Sequence, residues 1–576
     1  MNSLRKLFSY LGPYRKDIIA ACLLLVIETS FELIIPTMMA SLIDEGVAAG
    51  NTDYMIRKGL EMAFCALLAL ATGLMYARFA ARAAYGWGAR IRENEYAKLQ
   101  GYAFSNIDKF ETSSLVTRMT SDITVMQNTV NNGLRPLVRA PVMLILGIVF
   151  SFSMNAELAV VFMIIAPLLG IILFTIVHRV APMYSVLQST VDSINGVVEE
   201  DVRAIRTVKA FVREEREEEK FGTVNEKLAK IGIKTNRTAV LNLPFFQAAM
   251  YLCVLALMFF GGSMVLDGTL QVGELTGFLS YVMQVLNSMM MLSNVFLLLT
   301  RSLASAKRIV TVLDEEPAMA EKRNAIDHVD SSSVEFRDVS FRYSEDASEE
   351  TLDDISLKID AGSTVGILGG TGSGKTTLVQ LIDRLYDVDE GEVLVGGIDV
   401  RDYSLHALRE AVGMVLQKNL LFSGTIRDNL RWGSADASDE ELWKACDEAG
   451  ASEFLRRFPA GLDTDLGQGG VNVSGGQKQR LCIARALLKK PKIIIFDDST
   501  SAVDSATERG IRENLKALEG VTKIFIAQRI STVMEADAIF VLDGGRIVAS
   551  GRHEELLRTS GIYKEIYDSQ MKGGTL

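Results

Sequence analysis

Residues 369–376 read GGTGSGKT: Gly369, Gly370, Thr371, Gly372, Ser373, Gly374, Lys375 and Thr376. The spacing is G-x-x-x-x-G-K-[ST]. A glycine-rich turn leaves its backbone N–H groups free to converge on phosphate, and a following helix presents a positive N-terminus. In this pattern Lys375 holds the β- and γ-phosphates of ATP, and Thr376 ligates the Mg2+ that bridges them. Thr377 is next in the run. The context fits, with an apolar run at 364–368 before the turn and KTTLVQLIDRL after it.

A second group surrounds IIIFDDST, where Asp497 closes an apolar run and is placed to support the same Mg2+. Asp498 follows directly, and Gln528 ends the later run IFIAQ. Between these motifs lies VSGGQKQR, in which Ser474, Gly475, Gly476 and Gln477 open a helix and make another anion-binding terminus. One nucleotide cannot use two phosphate cradles within a single compact domain. The second cradle is therefore expected to serve a nucleotide held by another chain.

These motifs need a parallel sheet. From about Val334 onward, TVGILGG, GMVLQ, KIIIFDD, TKIFIA and AIFVLDGGRIV alternate with amphipathic helical stretches. Near-continuous apolar runs of this length suit strands buried on both faces. The first half differs. Six apolar segments, near 17–43, 57–83, 138–156, 158–178, 243–266 and 274–300, approach or exceed the ~20 residues that cross a bilayer as a helix. The gaps between them alternate between short and about 55–60 residues, and the long gaps are rich in Lys and Arg. With Arg5, Lys6, Arg15 and Lys16 ahead of the first span, this distribution places both termini and both long gaps in the cytoplasm of a multi-pass protein of the cell membrane. If each long gap is a hairpin, arms of ~25 residues would reach ~35–40 Å past the membrane.

The expected architecture is an all-α membrane domain of six transmembrane helices with long cytoplasmic extensions (1–315), a linker (316–333) and an α/β P-loop nucleotide-binding domain (334–576). Of 576 residues, 49% are hydrophobic and 23% charged, and the mean hydropathy is +0.21. The net charge of −11 gives no support to a nucleic-acid partner. Five scattered cysteines and four histidines suggest neither a disulfide framework nor a zinc cluster.

GGTGSGKT and VSGGQ together resemble the ATP-binding cassette (ABC) transporters, of the exporter type with a six-helix membrane domain fused ahead of its cassette. On that resemblance Tyr343 of VSFRYS stacks on adenine, Gln417 of GMVLQ is the Q-loop residue, a candidate for catalysis and for Mg2+, and Asp504 of STSAVD is the D-loop aspartate. The family normally has glutamate where Asp498 stands, to polarise that water. A carboxylate one methylene shorter lies ~1–1.5 Å further away, and misplacement on that scale costs of order 10²-fold in rate. It normally has histidine at Gln528, glutamate at Gln468 and leucine at Val473. Nucleotide-holding residues remain while two that assist hydrolysis are altered. This combination resembles the degenerate-site subunit of a heterodimeric bacterial multidrug-type exporter. In such a pair this chain's Walker motifs bind ATP at a weakly hydrolysing site, and its VSGGQ completes the consensus site of a second half-transporter. A homodimeric exporter and a lipid flippase are the alternatives. An ATP-gated regulator or channel is the reading from a different class.

The segments SNIDKFETSSLVTRMTSD and VEEDVRAIRTVKAFVREEREEEKF resemble those carrying the family's coupling helices. The cargo is less legible. Glu28 and Glu32, four apart on one face of the first span, would attract a cationic compound, pair with a partner not evident from the sequence, or sit in water near the outer leaflet. Arg78 and Arg82 read as snorkelling or structural pairs. Gln284, Asn287 and Met289–Met291 suit either an adaptable surface or plain helix packing.

Overall fold

The computed structural model describes residues 2–344, 349–498 and 505–572, with some side chains undescribed inside the helices Ala156–Ala210, Asn242–Leu266 and Val272–Asp314. The chain divides into two compact units. The first is Met1–Gln100 with Phe110–Glu315, and the second is Gly101–Lys109 with Glu316–Leu576.

The first unit is helical. Its long elements are Arg15–Ser41, Thr52–Gln100, Ile123–Met154, Ala156–Ala210, Glu214–Val240, Asn242–Leu266 and Val272–Asp314. Among the described residues, four stretches are long and apolar enough to cross a membrane: Gly12–Val47, Thr52–Gln100, Thr112–Met154 and Glu214–Leu266. The other two expected spans, 158–178 and 274–300, fall on Ala156–Ala210 and Val272–Asp314, where part of the side chains is not described. The two long gaps differ in form. The second of them is a hairpin: the 55-residue helix Ala156–Ala210 turns at Val212 (φ 50°) into Glu214–Val240. The first is not a simple pair of arms. Thr52–Gln100 stops before Gly101, and Phe104–Asp108, Thr112–Thr117 and a π-helical turn Arg118–Asp122 intervene before Ile123–Met154. The stop has a local cause, because Asn106 Oδ1 accepts from Ala103 N at 3.2 Å and caps a new short helix.

Among the described residues the second unit holds ten strands: β1 Val334–Phe341, β2 Leu352–Ile359, β3 Thr364–Gly369, β4 Glu390–Val395, β5 Ile398–Asp399, β6 Val412–Val415, β7 Ile493–Asp497, β8 Thr522–Ala527, β9 Ala538–Asp543 and β10 Arg546–Gly551. β2-β1-β4-β5 form an antiparallel sheet, and β10-β9-β3-β8-β7-β6 form a sheet that is parallel except for β10. Every residue of β7 and β8 is buried, as their apolar runs require. One core, including Phe336, Ile355, Ile367, Leu378 and Ile495, joins the two sheets. The other packs Leu421, Leu442, Leu455 and Ile483 of the helical region against Phe496 and Phe525. Because β3, β6, β7 and β8 run parallel, their carboxyl ends share one edge, the edge at which open α/β sheets bind ligands.

Candidate functional site

That edge carries the motifs in strand order. β8 lies between β3 and β7, with Leu368 opposite Ala527 and Asp497 opposite Ile526. The phosphate-loop sequence leaves β3, Asp497 and Asp498 leave β7, and Gln528 leaves β8 between them.

The loop needs its glycines. A Cβ on Gly369 would lie 2.3 Å from the Leu542 carbonyl oxygen of β9. Gly374 has φ +94°, and a Cβ there would meet Leu352 Cδ2 at 2.7 Å. Lys375 follows as the first residue of the helix Lys375–Ile382. It is 7% exposed, and its Nζ donates to the carbonyls of Gly369 (3.0 Å) and Gly370 (2.5 Å). Burial pushes its ammonium below the usual lysine range, against the pull of Asp498 and Asp497. Thr376 Oγ1 donates to both carboxylate oxygens of Asp497, at 3.1 and 2.9 Å. Asp497 is buried, and this raises its carboxyl pKa despite the Thr376 hydrogen bond. A hydroxyl and a carboxylate side by side are the hard oxygen donors that Mg2+ takes together with phosphate oxygens. Among the described residues no cluster of three or more His, Cys, Asp or Glu offers a separate metal centre.

Asp498 has a left-handed backbone (φ 45°), and its N–H donates to the Ile526 carbonyl at 3.1 Å. Gln528 Nε2 donates to Asp498 Oδ2 at 3.2 Å, so two of the four residues that depart from the family pattern touch each other. Burial raises the Asp498 carboxyl, opposed by Lys375 and Arg529. The backbone around Gln528 is held in turn by Gln570, whose amide donates to the Gln528 carbonyl (2.8 Å) and accepts from Ile530 N (2.9 Å).

Tyr343 is half exposed, and its hydroxyl meets Thr377 Oγ1 at 2.9 Å and Gln380 Oε1 at 3.2 Å. Its ring stands edge-on to Tyr386, with centroids 5.2 Å apart. Tyr386 donates its hydroxyl to Asp108 at 2.7 Å and lies 6.1 Å from the Phe104 ring. Asn106 of the same short helix, 1% exposed, binds the Glu316 carbonyl and the Ala318 N–H, each at 2.8 Å. Part of the first segment that resembles a coupling element thus packs within the second unit, beside the residue expected to meet adenine.

VSGGQ forms its own local structure. Ser474 caps the helix Gly475–Leu488: its Oγ accepts from Gln477 N at 3.3 Å, and Gln477 Oε1 accepts from Ser474 N at 2.9 Å. Ser474 and Gly475 are exposed, and a Cβ on Gly475 would meet nothing within 4 Å. Among the described residues no hydrogen bond joins this helix terminus to Lys375, Thr376 or Asp497. Gln417 is exposed just past β6 on the shared edge. Asp504 lies outside the described residues.

In the membrane unit Glu28 and Glu32 both have partners. Arg135 binds Glu28 and Arg139 binds Glu32, from the helix Ile123–Met154. Each pair repeats at a spacing of four residues, so two helix faces meet as a ladder. A Cβ on Gly73 would lie 3.2 Å from the Glu28 carboxylate, and Arg135 stands 5.6 Å over the Tyr76 ring. Arg82 is 3.9 Å from Asp17. Neither Arg135, Arg139, Tyr386, Asp108 nor Gln570 stood out in the sequence. No spacing marks them, because their partners lie 40 or more positions away along the chain.

Residues 18–289 match the family model for the ABC transporter transmembrane region, and 352–501 match that for the ABC transporter. The chain is 35% identical over 567 residues, 98% of both chains, to an uncharacterized ABC transporter ATP-binding protein, YfiB, of Bacillus subtilis (strain 168). It is 34% identical over 486 residues to an ATP-dependent lipid A-core flippase of Syntrophus aciditrophicus (strain SB), covering 84% of this chain and 80% of that one. Among solved structures it is similar to a bacterial Atm1-family ABC exporter with ATP bound, with a TM-score of 0.82 and 27% identity over 96% of this chain and 99% of the other. With a helical membrane region fused ahead of an ATP-binding domain, the chain belongs to the ABC transporter family, as an exporter-type half-transporter.

Proposed function

We propose that this chain is one half of a two-chain, ATP-driven exporter of amphipathic or drug-like compounds in the cell membrane, with the cassette and both termini cytoplasmic. Its own Walker residues form the slow site. Lys375 and the amides of 369–376 hold phosphate, Thr376 and Asp497 with Gln417 hold Mg2+, and Tyr343 meets the base beside Thr377. Asp498 and Gln528 assist hydrolysis poorly. Ser474, Gly475, Gly476 and Gln477 complete the faster site of a second half-transporter, with Asp504 at the junction.

The observation that carries this reading is the Gln528–Asp498 hydrogen bond. A carboxylate that is both one methylene short and engaged by an amide is a poor water-orienting group. A glutamine at 528 supplies neither a titratable nitrogen nor a positive charge. The helix terminus at Ser474 and Gly475 faces open space, as a cradle for a partner's nucleotide requires. A second reading, lipid translocation, is favoured by the flippase relative. On either reading Glu28 and Glu32, neutralised by Arg135 and Arg139, are candidates for substrate contact only if the ladder opens.

The test is ATP turnover and labelled-nucleotide retention in the two-chain complex. Asp498→Asn should change turnover by less than ~3-fold, because little transition-state stabilisation is left to lose. Ser474→Ala or Gly476→Glu should lower turnover ~10²–10³-fold, with nucleotide still held at Lys375. Turnover that survives both signature changes, or falls equally with Asp498→Asn, would refute the asymmetric reading.

A further inference from the structure

The short helix Asn2–Ser9 is pinned from one side. Leu7 is buried among Trp87, Ile91, Ala306 and Ile309, and Trp87 Nε1–H donates to the Leu7 carbonyl at 2.9 Å. Phe8 stacks on Trp87, with centroids 5.5 Å apart, and Lys6 pairs with Asp314. The outer edge of Phe8 and the residues beside it are open. There Arg5, Phe8 and Ser9 meet Arg15, Ile18 and Ile19 of the first membrane helix around an open cleft of about 510 Å³.

The charges in this cleft are unbalanced. Among the described residues no carboxylate lines it. The nearest acidic residue in sequence, Asp17, faces Arg82 at 3.9 Å. Among the described residues neither Arg5 nor Arg15 has an ion pair or side-chain hydrogen bond, although thirty-odd such pairs are made elsewhere, Lys6 included. The wall is apolar and open: Ile19 is 59% exposed and Phe8 46%. Two unpartnered guanidinium groups beside apolar side chains, at the level where a bilayer-spanning helix begins, match a molecule with an anionic head and an apolar tail. A free anion would leave Ile19 and Phe8 uncovered.

We propose that this cleft binds an anionic phospholipid, with Arg5 and Arg15 on the headgroup phosphate and Ile18, Ile19 and Phe8 on the first acyl segments. The lipid would brace the Asn2–Ser9 helix, which is already tied through Lys6 to Asp314 at the end of the helix Val272–Asp314. Membrane composition would thereby bear on the helix that leads toward the cassette. This inference is independent of how the two ATP sites divide their work.

The test uses the full chain in neutral phosphatidylcholine with and without a minor fraction of phosphatidylglycerol. Lipid retention is read by native mass spectrometry and thermal stability alongside it. Phosphatidylglycerol should be retained over phosphatidylcholine and should raise the melting temperature. Arg5→Gln with Arg15→Gln should reduce the preference at least ~10-fold, a difference of about 1.4 kcal/mol. Arg5→Lys with Arg15→Lys should keep most of it, and excess inorganic phosphate should not compete. If the glutamine pair does not fold, Ser9→Trp, which fills the cleft and keeps both arginines, should abolish the preference instead. The proposal is overturned by a wild-type chain without lipid preference, by a preference that persists in the glutamine pair or in Ser9→Trp, or by displacement with phosphate. It is also overturned if the glutamine pair or Ser9→Trp keeps the lipid and loses only association with another half-transporter, since the cleft would then be a protein interface.

Discussion

Asp498 combines three conditions: a positive φ, a carboxylate raised by burial, and a hydrogen bond from the glutamine that ends the adjacent strand. Aspartate tolerates the left-handed region better than most side chains, so its placement there costs little. Restoring the family's usual pair is therefore a clean test of what the departures do. With the other site of the complex disabled, Asp498→Glu with Gln528→His should raise turnover at this site by about 10-fold or more, within the ~10²-fold that a misplaced group costs. An unchanged rate would mean that something other than these two side chains limits the site. The identities and motif positions of Asp498 and Gln528 were readable from the sequence. Their contact was not, because it depends on β8 lying beside β7.

The C-terminal end of the helix Thr52–Gln100 contains Glu95, which is 0% exposed and has both carboxylate oxygens without a hydrogen-bond partner. Burial pushes its carboxyl up to about 7, opposed by Arg118, reinforced by Asp122 and opposed again by Arg92. Asp122 itself is committed to Arg308, whose Nε donates to it at 2.7 Å, and to Ser305 at 2.8 Å. The folded state therefore keeps a proton on Glu95 that the unfolded chain has already lost above its ordinary 4.5. Stability from this group is full below that value and is lost as pH rises toward 7, by roughly 3 kcal/mol at 1.36 kcal/mol per unit. Glu95→Gln should flatten this dependence and raise the melting temperature at pH 8 far more than at pH 5. Parallel melting curves across pH for the two proteins would exclude the assignment. The apolar part of the helix, near 57–83, was legible from its composition and length. The π-helical turn Arg118–Asp122, whose Arg118 and Asp122 act on Glu95, was not.

At the scale of the whole molecule, the chain leaves the first unit after Gln100, contributes nine residues to the second, and returns at Phe110. Tyr386 is where that excursion meets the nucleotide edge, through Asp108 on one side and Tyr343 on the other. Tyr386→Phe keeps the ring contacts and removes the charge-assisted hydrogen bond, worth about 1.5–3 kcal/mol when formed. ATP affinity should change by less than ~2-fold, while substrate-stimulated turnover in the two-chain complex should fall several-fold. Equal losses of affinity and stimulation would mean that the hydroxyl only supports the fold. The sequence by itself determined the family, the division into an apolar helical half and an α/β half, and the phosphate loop, because these rest on local patterns: composition, a glycine spacing and apolar runs of strand length. Only the tertiary structure decided which residues meet. Strand order set Gln528 against Asp498. Helix packing gave Glu28 and Glu32 their arginines. A break after Gln100 carried Asp108 to Tyr386. The physical reason is that side-chain pairing across distant segments depends on register and packing geometry, and no residue announces its partner along the chain.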